Sequence, residues 1–237
     1  MNTGRLALDI ETASPHGPPR DFTNTDKFEL VAVGLGYRTD GGDVEVTVCR
    51  RQGDWGVEHT ANLLREVVEW CEERDGPVLT YNGTHFDEQH LRAWADHVAD
   101  AGAWPGAPAR VEALFSDHID LGPLAAEAFP HAVNAGRDIP ALWKACEEAG
   151  IEQPSVWYDD YDLPADYLEQ LGIDGSAVKG AHVGTALGEA YVDGVAAGID
   201  GTRTHDELVR LLEDYASGDI EPLFALHDAL KRANARQ

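Results

Sequence analysis

The first apolar run of the chain carries two acids, because Leu6-Ala7-Leu8 leads directly into Asp9-Ile10-Glu11. In an extended segment side chains alternate faces, so residues two apart, Asp9 and Glu11, project to the same side. Two carboxylates at that spacing resist ionising together unless a cation neutralises them, and paired hard oxygen ligands suit Mg²⁺ or Mn²⁺. A metal site is the simplest resolution. In a chain this acidic a solvated strand-end carboxylate is the competing explanation, and D-x-E alone does not separate the two.

The hydrophobic pattern supplies a frame around that strand. Phe28 to Tyr37 is a largely apolar run suited to a buried strand, and Asp43 to Arg50 alternates, with Val44, Val46 and Val48 on one face. Asp40-Gly41-Gly42 is the hairpin turn between them. Ala61 to Arg74 places Leu63, Leu64, Val67, Val68 and Cys71 at helical spacing, and Pro77 to Tyr81 reads as a further strand. A loop is expected from Ala13 to Thr25, with Pro15, Pro18 and Pro19, and Trp94, Trp104, Pro105 and Pro108 close the part that follows the fourth strand. His118 to Leu121 is a candidate fifth strand, and Asp138 to Gly150 a capped helix ending at glycine. Residues 151–203 are the least regular stretch, and from Thr204 onward leucines return at helical spacing. At 237 residues the default is one domain, 1–237, with 151–203 as a less regular insertion.

Two further segments bear on the acids of the first strand. Leu79 to Leu91 (LTYNGTHFDEQHL) reads as a strand, a turn at Asn82-Gly83 and a helix start, with Asp87 in the first helical turn, where the macrodipole favours an acid. Near the other end, Tyr215-Ala-Ser-Gly-Asp219 is a Y-x-x-x-D string. D-x-E-T at 9–12, N-G-x-x-F-D-x-x-x-L at 82–91 and Y-x-x-x-D at 215–219 together resemble the three motifs of the four-carboxylate (DEDD) 3′-to-5′ exonucleases of the RNase H-like superfamily. They match the tyrosine subgroup, which includes the proofreading domains of family B DNA polymerases. The histidine form of the third motif is not matched, since no histidine after residue 180 has Asp five positions on.

That resemblance runs in order through residues 6–230 and implies an α/β, RNase H-like three-layer fold: a mixed five-stranded sheet flanked by helices. It implies two divalent ions, Mg²⁺ or Mn²⁺, held by Asp9, Glu11, Asp87 and Asp219. Asp9, Glu11 and Asp219 would bind the ion that activates water, and Asp9 would bridge to a second ion approached by Asp87. Tyr215 would orient the water, and Thr12, Asn82 and Phe86 would contact substrate, the 3′ end of a single nucleic-acid strand. The implied activity is metal-dependent hydrolysis of DNA, with RNA trimming as a variant.

Other readings of the same residues stand beside these. Phe86 also suits a core position, and Asn82-Gly83 an ordinary turn. Gly218 and Pro222 would break a helix around Asp219, which could instead cap a new one. A second Y-x-x-x-D, Tyr158 to Asp162, falls before Pro164 in an acidic loop-like stretch. Asp120 reads as structural or peripheral, and His85 and His90 as helix-surface residues without a closed zinc set.

Composition pulls against a nucleic-acid partner. Eighteen basic side chains, only four of them lysine, face 43 acids, for a net charge of −25. A protein handling polyanions ordinarily carries a basic groove, unless salt shortens the Debye length to about 3 Å at 1 M. Such lysine-poor acidity resembles that of proteins from salt-accumulating microbes. Three widely spaced cysteines without a C-x-x-C pair read as buried thiols, and the lack of a long apolar run leaves no membrane span, so a reducing cytoplasm is expected. The competing function classes are a non-catalytic RNase H-like interaction module and a small-molecule nucleotidase using the same ions.

Overall fold

Three antiparallel strands, β1 (Arg5–Ala13), β2 (Glu29–Arg38) and β3 (Glu45–Arg50), make one half of a mixed five-stranded sheet. β4 (Val78–Thr80) and β5 (His118–Asp120) extend it parallel to β1, in the order β3-β2-β1-β4-β5. This is the RNase H-like strand arrangement. The structure is a computed structural model describing residues 4–17 and 24–234, so Pro18 and Pro19 of the expected loop lie outside the described residues. The helices are α1 (Val57–Glu72), α2 (Asp87–Asp100), α3 (Ala107–Leu114), α4 (Leu121–Ala128), α5 (Leu142–Ala149), α6 (Tyr167–Gln170), α7 (Gly180–His182), α8 (Gly188–Ala196), α9 (Arg203–Gly218) and α10 (Glu221–Asn234).

The alternation of β1 divides the core between the two faces of the sheet. Leu6, Leu8 and Ile10 pack with buried residues of α1, α2 and α3. Ala7 and Ala13 point to the opposite layer, where Ala7 meets Leu223 and Phe224 of α10 and Ala13 meets Val183, Leu187 and Tyr191. Asp9 and Glu11 share parity with those alanines, so they lie on the face covered by the C-terminal helices. All three cysteines are buried and free. Among the described residues no helix is long and apolar enough to cross a membrane.

Several elements depart from the sequence pattern for local reasons. α2 starts at Asp87 rather than Thr84, because Asn82 adopts a left-handed conformation, φ +66°, and Asp120 fastens the loop. The Asp120 carboxylate accepts from the amides of Asn82 (2.8 Å), Thr84 (3.1 Å) and Gly122 (3.0 Å), which makes it structural, as expected. α5 starts at Leu142 rather than Asp138, since Pro140 keeps Ile139 out of helical conformation, and it ends at Gly150 with φ +69°. Pro108 sits in the first turn of α3, where proline starts a helix instead of closing one.

Residues 180–196 correct the expectation of irregularity across 151–203. α7, a π-helical turn Val183–Leu187 and α8 form one continuous run. Gly180, Gly184 and Gly188 weaken its helical signal, but burial of Val183, Leu187, Tyr191 and Val192 overrides propensity.

Gly34 of β2 pairs with Asp9 across the sheet, and a side chain there would collide with the helical layer. A Cβ at Gly34 would stand 2.6 Å from the Ala216 carbonyl oxygen and 2.9 Å from Ile220 Cγ1. The missing side chain lets the α9–α10 junction settle directly on the strands carrying Asp9 and Glu11. Gly34→Val is therefore expected to destabilise the fold by about 1–3 kcal/mol, read by urea denaturation, and to weaken Mn²⁺ binding by the folded fraction. Wild-type values for both would show that the junction does not depend on this contact.

Candidate metal centre

Asp9, Glu11 and Asp219 each offer a carboxylate oxygen, and the three oxygens lie within 4.8 Å of one another. Asp9 and Glu11 arrive by strand alternation. Asp219 arrives as the residue capping the C-terminus of α9, two positions before α10 begins, so the helix break at Gly218 and Pro222 is what aims it. Asp87 comes from the first residue of α2. β4 ends at Thr80, and beyond it the amide of Ile10 donates to Asp87 Oδ1 at 3.0 Å. Asp87 stands outside the tight trio but lines the same cavity of about 460 Å³.

All four carboxyls are held above their ordinary range. Burial, followed by the charges of Asp87, Glu11 and Asp219, holds the Asp9 carboxyl well above the usual range. Burial, then Asp219 and Asp87, does the same to Glu11. Asp87 is pushed up to about 7, chiefly by burial and against the opposing Ile10 amide. Asp219 rises to about 6 by burial, with the Gln153 amide, 2.5 Å from its Oδ1, pulling the other way. The charges acting on Asp9 and Glu11 are all carboxylates, a donor set of hard oxygens that fits a divalent cation.

Tyr215 lies one helical turn before Asp219 on the same face of α9 and lines the same cavity. Burial and the neighbouring charges of Glu11, Asp219 and Asp9 drive its phenol far above the ordinary value, so it remains protonated. Its hydroxyl faces Gly180, where an added Cβ would lie 3.3 Å away.

The sequence-derived candidates Asp9, Glu11, Thr12, Asn82, Phe86, Asp87, Tyr215 and Asp219 all line this one cavity. Phe86 has a double position: it packs on the core and stands edge-on to Phe28 at 5.7 Å between ring centroids. The alternative pair separates, since Tyr158 hydrogen-bonds His182 Nδ1 at 2.8 Å while Asp162 forms an ion pair with Arg203 at the surface. His90 corrects its surface reading, being fully buried among Phe28, Phe86 and Trp94, with Nδ1 2.8 Å from the Phe86 carbonyl oxygen. His85 is exposed.

Sequence reasoning passed over Gln153, Gly34 and the wall formed by Gly180, Ala181, Gly184 and Thr185. A glycine inside an apolar strand is a signal of close backbone approach and would have pointed to Gly34. Gln153 carries no such mark.

No protein-family model matches the chain, and no curated protein matches it. Solved structures that resemble it distantly include an ExoI/SSB-Ct complex (15% identity, TM-score 0.42, covering 65% of this chain and 38% of that one). A zinc-bound E. coli ExoI–ssDNA complex (15% identity, TM-score 0.39) aligns over 63% of this chain and 36% of that one. E. coli Exonuclease I with a 5cy-dA13 oligonucleotide gives 14% identity, TM-score 0.40 and the same shares. The chain thus spans less than two-fifths of the length of those proteins.

The raised carboxyls predict an unusual pH dependence. The folded chain keeps protons on these groups that the unfolded chain gives up near pH 4, so the native state binds more protons between the two values. The resulting stability is complete below about pH 4 and is lost as pH climbs through about 6 for Asp219 and about 7 for Asp87. In chelator, the melting temperature should fall more steeply between about pH 5 and 8 in wild type than in Asp87→Asn, and Mn²⁺ should reverse the loss. Parallel profiles for the two proteins would contradict this account.

Proposed function

We propose that the chain is a metal-dependent 3′-to-5′ exonuclease acting on single-stranded DNA, a single RNase H-like domain over 1–237 that works at high salt. The observation that carries this is the convergence of Asp9, Glu11 and Asp219 on one point, with Asp87 and Tyr215 in the same cavity. In the reaction a water oxygen bonds to phosphorus, the P–O3′ bond breaks, and the departing 3′ oxygen takes a proton. The products are a nucleoside 5′-monophosphate and a strand one nucleotide shorter.

Asp9, Glu11, Asp87 and Asp219 would hold two ions, Mg²⁺ or Mn²⁺. When bound, such ions neutralise phosphoryl charge and lower the pKa of water. The chain's own residues supply position. The Ile10 amide fixes Asp87, and the Gln153 amide fixes Asp219. Tyr215, protonated at neutral pH, orients the water by hydrogen bonding and does not take its proton. Thr12, Asn82 and Phe86 would touch the terminal nucleotide.

End-labelled single-stranded DNA and RNA, incubated with Mn²⁺ in about 1 M KCl, test the reading. The expected result is a ladder shortening from the 3′ end, with DNA consumed faster than RNA. Intact oligonucleotides with folded, metal-loaded protein reject it, and preferential cleavage of mononucleotide esters makes the protein a nucleotidase.

Asp9→Ala should abolish cleavage and weaken Mn²⁺ binding in calorimetry. Tyr215→Phe, which removes one hydrogen bond to the reacting water, should lower kcat by about 10–100-fold with little change in KM. Unchanged kcat would remove Tyr215 from the mechanism. With a net charge of −25, activity should rise as KCl goes from about 0.1 to 1 M, the reverse of ordinary nucleic-acid binding.

A further inference from the structure

Beyond the carboxylates, on the far side of Tyr215 and Asp219, lies a second recess of about 390 Å³, and those two residues belong to the walls of both spaces. Its outer wall carries Trp143. α5 buries Ala145 and Cys146 and packs Leu142 and Ala149 against the core beside α10, leaving Trp143 on the opposite side with 56% of its surface exposed. The ammonium of Lys144 stands 5.5 Å from the Trp143 ring centroid and donates to Asn134 Oδ1 at 2.7 Å. Lys179 is exposed and joins the walls in the chain, since Val178 lines the recess and Gly180 the main cavity. Two of the four lysines in a chain of net charge −25 therefore flank this recess.

The space on the opposite side of the main cavity differs. It shares Ser14 and Thr185 with that cavity and is walled by Pro15, Gly17 and Glu189, with no basic side chain among its described lining residues. Among the described residues, Lys144, Lys179 and an exposed indole flank the first space, with Asp174 near Lys179, whereas Glu189, with His16 beside it, borders the second.

We propose that the Trp143 recess is a second nucleotide subsite, in which the indole stacks on the base of the nucleotide 5′ to the cleaved linkage. Lys144 and Lys179 meet the phosphates of that strand. The proposal rests on the exonuclease reading for its strand polarity, and it assigns recognition to a face that the four acids do not include. An indole is indifferent to base identity because every base has a π-face, so the subsite would select for a stacked single strand and not for sequence.

Anisotropy of a labelled single-stranded dT oligonucleotide, with Ca²⁺ in place of Mn²⁺ to prevent turnover, tests it apart from catalysis. Trp143→Ala should bind about tenfold more weakly, and Trp143→Phe should stay close to wild type. An abasic residue at the penultimate 3′ position should cost wild type a similar factor and cost Trp143→Ala nothing. Lys144→Gln and Lys179→Gln should each make the slope of log affinity against log salt more positive by about 0.7.

Equal penalties for the abasic strand in wild type and Trp143→Ala overturn the proposal, as does wild-type protein that binds no oligonucleotide. Cleavage in Mn²⁺ without this coupling removes the subsite and leaves the exonuclease. Coupling without cleavage leaves the subsite and removes the exonuclease.

Discussion

Four acids gathered beneath one helical layer are the constraint around which the sheet and the C-terminal helices are arranged. Burial raises each carboxyl, and the neighbouring acids raise Asp9 and Glu11 further. A fold gains nothing from such an arrangement in the metal-free state. The backbone nevertheless holds it: the sheet fixes Asp9 and Glu11, the Ile10 amide fixes Asp87, and the break between α9 and α10 fixes Asp219. Stability is surrendered locally at the point where the fold gathers its acids.

The layers around the cluster show how that cost is contained. β1 gives Leu6, Leu8 and Ile10 to the core with α1–α3, while its other face carries small residues and acids, Ala7, Asp9, Glu11 and Ala13. Small residues on β1 and Gly34 on β2 allow the C-terminal helices to come close. The register shift between Glu11 and Thr12 marks the end of regular pairing beside the site, where β-bulges re-aim side chains. On the other flank Asp120 ties three amides of the adjoining turns and thereby sets where α2, with Asp87, begins.

Strong alternation and punctuated turns made much of this legible beforehand. The five strands, α1 and the turn before α2 follow from apolar spacing and from Asn-Gly, and the acids could be grouped because their motifs fall at strand ends and helix boundaries. What stayed hidden was set by tertiary contacts. Residues 180–196 are helical despite four glycines because their apolar side chains bury against Ala13 and Val31. His90 looks like a polar helix residue and is enclosed by aromatic rings. Gln153 sits in an unpatterned stretch, and its role appears only once the chain brings it to Asp219.

The hydrogen bonds to Asp87 and Asp219 carry a consequence for ion choice. Each of these carboxylates has one oxygen already engaged, by the Ile10 amide in one case and by Gln153 in the other. On each, the engaged oxygen keeps one lone pair and the other oxygen keeps both, so a cation taken through that second oxygen would leave the hydrogen bond undisturbed. Large ions such as Ca²⁺ reach coordination numbers of seven or eight by taking carboxylates bidentately, whereas smaller octahedral ions are content with single oxygens and retained water. One acid held by a main-chain amide and one held by the Gln153 side chain would thus suit an ion that takes single oxygens, before any question of affinity arises.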